Sequence, residues 1–125
     1  HIIPQTYWTY WASVVDEFAE PIEEHNKNQA RKVLINTLGN LTILKNGKNS
    51  ALGNRSWIEK KERYRTGSYN EIAISRYDEW SKKNIFERGI DMLKFLEHKV
   101  TGLKFTDEEM KKTLFYDDYI IQRFE

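Results

Sequence analysis

Three residues of this chain have types and spacing that could do chemistry together: His1, Asn40 and Asn49. His1 opens a short apolar stretch, Ile2-Ile3, that Pro4-Gln5 stops. An unperturbed imidazole has a pKa of about 6.5, so much of it is neutral near pH 7 and can take a proton from water. Asn40 lies within Leu38-Gly39-Asn40-Leu41-Thr42-Ile43-Leu44. Its amide both donates and accepts, so it can tie one segment to another and orient an imidazole. Asn49 follows nine residues later, beyond the turn Asn46-Gly47, and Asn49-Ser50 opens a helix. A carboxamide oxygen is a hard, neutral donor suited to Mg²⁺ or Mn²⁺ rather than to a zinc-preferring site. Each residue also has a plain reading. A lone His at a chain start is most often a tag remnant or a surface residue. An Asn after Gly is an ordinary turn residue, and Asn is a good helix N-cap. Local sequence alone favours these plain readings; taken together, the three could also serve a hydrolytic site, with a base that activates water beside a hard cation.

The surrounding pattern predicts the elements that would hold these residues. His1 to Gln5 reads as a short strand, and Leu41 to Leu44, apolar with a β-branched pair, as a second. Between them Tyr7, Trp8, Trp11, Val14, Val15 and Phe18 recur at helical spacing up to Glu20-Pro21. Ala30, Val33, Leu34 and Leu38 predict a second helix, ended by Gly39 at C′. A helix over about 49–64 carries Leu52, Trp57, Lys61 and Tyr64 along one side, and Thr66-Gly67-Ser68 breaks it. Ile72, Tyr77 and Trp80 lead into a longer helix that buries Ile85, Phe86, Ile90, Leu93, Leu96 and Val100 and stops at Thr101-Gly102. Thr106-Asp107-Glu108-Glu109 is a capping box for a last helix containing Met110 and Leu114. The expected fold is therefore α+β, mostly helical, with a small two-stranded sheet and additional packed helices. It forms one domain over 1–125, with a site core at 1–65 and a helical C-terminal part at 66–125.

A strand with His, a strand with Asn and a helix with a ligand is the layout of a ββα-metal (HNH-like) site, and the step from Asn40 to Asn49 matches its spacing. The wording resembles the C-terminal HNH-like domain of Gmr-type (type IV, modification-dependent) restriction enzymes and related phage-defence proteins. That pattern runs acid-His-Ile-x-Pro-Gln, then Leu-Gly-Asn-Leu-Thr-Leu-Leu, then Asn-Ser, then Asn-x-x-aromatic-x-x-Lys. Trp80, Ile85 and Arg88 fit a further Trp-x4-Ile-x2-Arg pattern, with the first two read as core and Arg88 as chiefly structural. The resemblance covers roughly residues 1–100 and is weaker after Tyr64. It implies a bacterial, cytoplasmic, metal-dependent endonuclease domain that hydrolyses DNA phosphodiesters in restriction. His1 would be its general base, Asn40 its central Asn, and Asn49 and Asn54 its metal-facing residues, with Mg²⁺ or Mn²⁺ as cofactor. It also implies an N-terminal domain that hydrolyses nucleotide or recognises modified DNA, so the chain is expected to be a piece of a larger protein. The acid of the pattern would precede His1. Without that charged ligand the chain alone is expected to hold metal weakly and to cut poorly.

Charge agrees with a nucleic-acid partner. The net charge is only +1, but residues 1–25 carry five acids and no Lys or Arg, whereas residues 26–65 carry ten bases and two acids. Lys45, Lys48, Arg55, Lys60, Lys61 and Arg63 from this block are the candidate DNA contacts. The bland reading is a solvated lysine-rich helix. His25 and His98 lie in polar stretches without ligand spacing and read as surface residues. The absence of cysteine excludes disulfides and thiolate zinc sites. No apolar run is long enough to span a membrane, and no Gly-rich phosphate loop offers a nucleotide site. Two other readings stand beside the nuclease: a nucleic-acid-binding module that keeps the fold without cutting, and a protein-interaction domain that shows no salt-sensitive DNA affinity.

Overall fold

The computed structural model describes residues 1–44 and 47–115. Lys45, the side chain of Asn49, and the aromatic residues Tyr116, Tyr119 and Phe124 lie outside the described residues. Seven α-helices are described: α1 (Ala12–Ala19), α2 (Lys27–Asn36), α3 (Lys48–Leu52), α4 (Trp57–Tyr64), α5 (Tyr69–Ser75), α6 (Lys82–Lys99) and α7 (Asp107–Phe115). Two 3₁₀ turns, Glu24–Asn26 and Leu38–Asn40, flank α2.

The expected α+β fold is corrected here: among the described residues there is no β-strand and no two-stranded sheet, so no ββα motif forms. The hydrogen bonds of the two segments give the physical reason. The Ile2 N–H donates to the Asn40 carbonyl at 2.8 Å, which would be one rung of a ladder. The next rung is made by a side chain instead. The Ile3 N–H donates to Asn40 Oδ1 at 2.8 Å, and Asn40 Nδ2 donates to the Ile3 carbonyl at 3.0 Å. Lys60 Nζ takes the Ile2 carbonyl at 2.6 Å, and Pro4 has no N–H to offer. On the opposite segment, Arg88 donates to the carbonyls of Gly39 and Leu41 at 2.8 and 2.7 Å. Buried backbone groups must be paired. Here side chains pair them, so the apolar, β-branched sequence has no partner strand to join.

Several helix boundaries also differ from the periodic pattern, and α1 begins only at Ala12, after Tyr7, Trp8 and Trp11. α2 ends at Asn36, and the Leu38–Asn40 turn follows. Gly39 does not serve as a helix cap. A Cβ there would lie 1.9 Å from the Ile85 carbonyl oxygen, so glycine is required for the turn to pack directly on α6. The single helix expected over 49–64 is two helices, separated where Gly53 takes φ +41°. α4 then restarts with a capping box, in which Ser56 and Glu59 exchange side-chain to backbone hydrogen bonds. The capping box expected at Thr106 and Glu109 is present at the start of α7.

One core joins the helices. Ile2 and Ile3 are completely buried in it, together with Val15, Leu34, Leu52, Ile85 and Leu114. Its aromatic part lies between α1, α4 and the start of α6. Trp57 and Trp80 stack with centroids 5.4 Å apart, and Trp11 meets Trp57 edge-on at 6.5 Å. Rings in such arrangements add to the large area they bury. The apolar residues after His1 are thus anchored deep in the molecule, and the imidazole stands at the edge of that anchor.

Candidate active site

Asn40 is the centre of the arrangement. It is fully buried, and all four of its hydrogen-bonding valences are used. Oδ1 accepts from the Ile3 N–H at 2.8 Å and from Trp80 Nε1 at 3.0 Å. Nδ2 donates to the carbonyls of Ile3 at 3.0 Å and Ile35 at 2.8 Å. One side chain therefore connects the His1 segment, the end of α2 and the residue that leads into α6. Buried polar networks of this completeness fix a unique geometry. Asn40 touches the backbone next to His1 rather than the imidazole itself, so it is a positioning residue.

Lys60 reinforces that position from below. It projects from α4 into the interior, where it is 1% exposed. Its ammonium donates to the Ile2 carbonyl and lies 5.9 Å from the centroid of the Trp11 ring. Burial brings its pKa down to about 8. This ammonium faces the core and the chain carrying His1, away from any surface a DNA strand could reach. Arg88 plays the corresponding part for the Leu38–Asn40 turn, and burial likewise lowers its pKa.

The imidazole of His1 is exposed, and its Nε2 lies 2.9 Å from Asn36 Oδ1. The Asn36 amide is oriented independently, because its Nδ2 donates to the Lys32 carbonyl at 2.8 Å. Oδ1 must then face the imidazole as an acceptor, so Nε2 carries a proton. In the neutral ring this leaves the lone pair on Nδ1. A general base needs such an accessible nitrogen. Asn36 is the partner that sequence reasoning missed. It sits thirty-five residues from His1, in the last turn of a helix, and no local pattern marks the pairing.

The other described candidates have partners of their own or lie exposed. Asn54 is exposed in the turn between α3 and α4. Lys48 forms an ion pair with buried Glu71 and donates to the Arg63 carbonyl at 3.3 Å. Burial pushes the Glu71 carboxyl up, but Lys48 and the backbone and hydroxyl of Ser68 outweigh it and hold it below the usual carboxylate range. Arg55 pairs with Glu59 at 3.5 Å, and Lys61 lies 3.9 Å from Asp78. Arg63 is exposed on α4. Among the described residues no group of three or more His, Asp or Glu side chains could hold a metal ion. The described residues therefore build no carboxylate-rich cage, although a Mg²⁺ site needs only one or two carboxylates with retained waters. The Asn49 side chain, expected as a ligand, lies outside them.

A family model of the C-terminal domain of GmrSD restriction endonucleases matches residues 1–95. The chain belongs to that family. The matched range contains His1, Asn36, Asn40, Lys60, Trp80 and Arg88, so the whole hydrogen-bonded frame lies inside the GmrSD domain. No curated protein and no solved structure gives a significant match. Among the described residues no helix is long and apolar enough to cross a membrane.

Proposed function

We propose that this GmrSD C-terminal domain hydrolyses DNA phosphodiesters in restriction of foreign or modified DNA, with His1 as the general base. The observation that carries the reading is the mounting of His1. An exposed imidazole stands on a buried segment whose backbone is held by Asn40 and Lys60, and Asn36 engages its Nε2. Its Nδ1 is then directed to take a proton from the attacking water. Holding the base on a rigid element keeps it in one orientation relative to the substrate.

A divalent ion, Mg²⁺ or Mn²⁺, belongs to the proposal. When bound, it would stabilise charge developing on the phosphate oxygens. Asn49, Asn54 and an acid ahead of His1 are its proposed ligands, since the described carboxylates do not assemble a site of their own. DNA and an N-terminal recognition or nucleotide-hydrolysing domain are the proposed partners, and a bacterial cytoplasm is the proposed setting.

A second reading has one observation in its favour. The lack of a clustered carboxylate and histidine set among the described residues suits a module that grips DNA without cutting it. Nicking of a supercoiled plasmid separates the two. The protein is prepared with the residue before His1 present and assayed with Mg²⁺ or Mn²⁺ and with chelator. Metal-dependent nicking supports the nuclease. DNA binding without nicking in either metal supports the binding module.

A further inference from the structure

α2 has two faces of opposite character. Ala30, Val33 and Leu34 are buried in the core. On the other side Asn28, Arg31, Lys32 and Asn36 follow at the i, i+3, i+4, i+8 spacing of one helical stripe, with buried Ile35 at its core-facing edge. That stripe, with Gln5 and Tyr7 from the segment after His1, lines a cleft of about 370 Å³. Its lining contains two cations and no acid. Arg31 is held in place by Asn28 at 2.9 Å and by exposed Asp16 at 3.3 Å, whereas Lys32 is exposed. Tyr7 contributes an aromatic wall, and the exposed indole of Trp8 stands edge-on to it at 5.4 Å. Asn36 belongs to the cleft and to the site at once, because it also meets the His1 imidazole.

We propose that this cleft holds one unpaired nucleotide of the DNA strand, next to the phosphate presented to His1. The proposal rests on the nuclease reading above and deepens it by placing the substrate. Lys32 and Arg31 take the phosphate of that nucleotide, as cations on a backbone-tracking surface do. The base lies against Tyr7, since every base offers a π-face to an aromatic ring. The amides of Gln5 and Asn28 meet its polar edge, for which an amide supplies both a donor and an acceptor. An extruded or single-stranded nucleotide is required, because a stacked base pair does not enter a cleft beside a helix.

The test is a fluorescence anisotropy titration of the chain with labelled single-stranded and duplex oligonucleotides, in chelator so that no cutting occurs. Single-stranded DNA is expected to bind more tightly than duplex of the same sequence. Lys32→Glu and Asn28→Asp, both at exposed positions, are each expected to raise Kd by roughly tenfold. Lys94→Glu, at an exposed position of α6, makes the same charge change as Lys32→Glu and is expected to shift Kd by less than about threefold. Equal effects of Lys32→Glu and Lys94→Glu would overturn the cleft, as would an absence of measurable DNA binding. The nuclease reading is scored separately, by loss of plasmid nicking in His1→Ala. Nicking that depends on His1 but is indifferent to Lys32 would keep the nuclease and discard the cleft.

Discussion

Asn40 and His1 are joined through two residues of backbone, yet they stand in opposite environments. Asn40 is sealed in the core with every valence paired, whereas His1 is exposed and held at its ring by one amide. The same contrast divides the rest of the frame. Lys60 and Arg88 face inward and bind backbone carbonyls, and Trp80 binds Asn40, whereas Asn36, Lys32 and Asn28 face solvent. Inward residues should therefore control stability, and outward residues should control chemistry and binding with little effect on folding. Each prediction below tests one side of that division.

The largest effect is expected from Asn40→Leu. It leaves the Ile3 N–H, the Ile3 and Ile35 carbonyls and the Trp80 indole N–H without partners. At about 1–3 kcal/mol for each unsatisfied buried group, the loss is on the order of 4 kcal/mol or more. That is a large share of the 5–15 kcal/mol or so available to a domain. Urea denaturation should show a much lower midpoint or no folded baseline, and a midpoint close to the parent's would show that the hub is dispensable.

Lys60 gives the next effect, and it depends on pH. Its folded pKa of about 8 lies below the ordinary lysine value of 10.5, so between these values the unfolded chain binds more protons. Stability should then rise with pH from about 8, by roughly 2 kcal/mol by pH 10. Tyr64 reverses the trend above pH 10. Burial, aided by Glu71 and opposed by Arg88, pushes its pKa up to about 12, so ionisation favours the unfolded chain there. Lys60→Met should abolish the rise while keeping the fall. Thermal melts at pH 7, 8, 9, 10 and 11 measure both, and a rise that survives in Lys60→Met would assign it to another group.

Asn36→Asp tests the outward side. A carboxylate against Nε2 favours the imidazolium, so the limb of the pH–rate profile set by His1 should move to higher pH. The urea midpoint should barely change, because Asn36 is exposed. An unmoved profile would remove Asn36 from the site. The smallest effect is expected from Arg55→Ala, which breaks an exposed ion pair with Glu59 and should cost less than about 0.5 kcal/mol. A larger loss in urea denaturation would mean that the outward surface also carries the fold.

The sequence made the frame's members visible, Asn36 excepted, but not their geometry. Trp80, Ile85 and Arg88 were legible through the family pattern they fit, and Trp80 and Ile85, read as core, are indeed buried. The pairing of His1 with Asn36 and the burial of Lys60 were not legible. Both are set by contacts between distant segments, and lysine gives no local sign that its ammonium will be enclosed. The strands were misjudged for a related reason. Apolar, β-branched runs at residues 1–5 and 41–44 have strand character, but strand formation needs a partner backbone, and side chains of Asn40, Lys60 and Arg88 occupy its place. The helix over 49–64 was read as continuous because its apolar period survives the Gly53 break.

The measurement closest to the central claim is single-turnover cleavage of a plasmid by the upstream-extended protein and its His1→Ala variant, with Mg²⁺ or Mn²⁺, beside the urea midpoint of each. Loss of the base should slow cutting by at least about a hundredfold. The midpoint should stay within roughly 0.5 kcal/mol of the parent, as expected for an exposed side chain. Equal cutting rates in the two proteins would contradict the assignment of His1 as the base of a GmrSD nuclease.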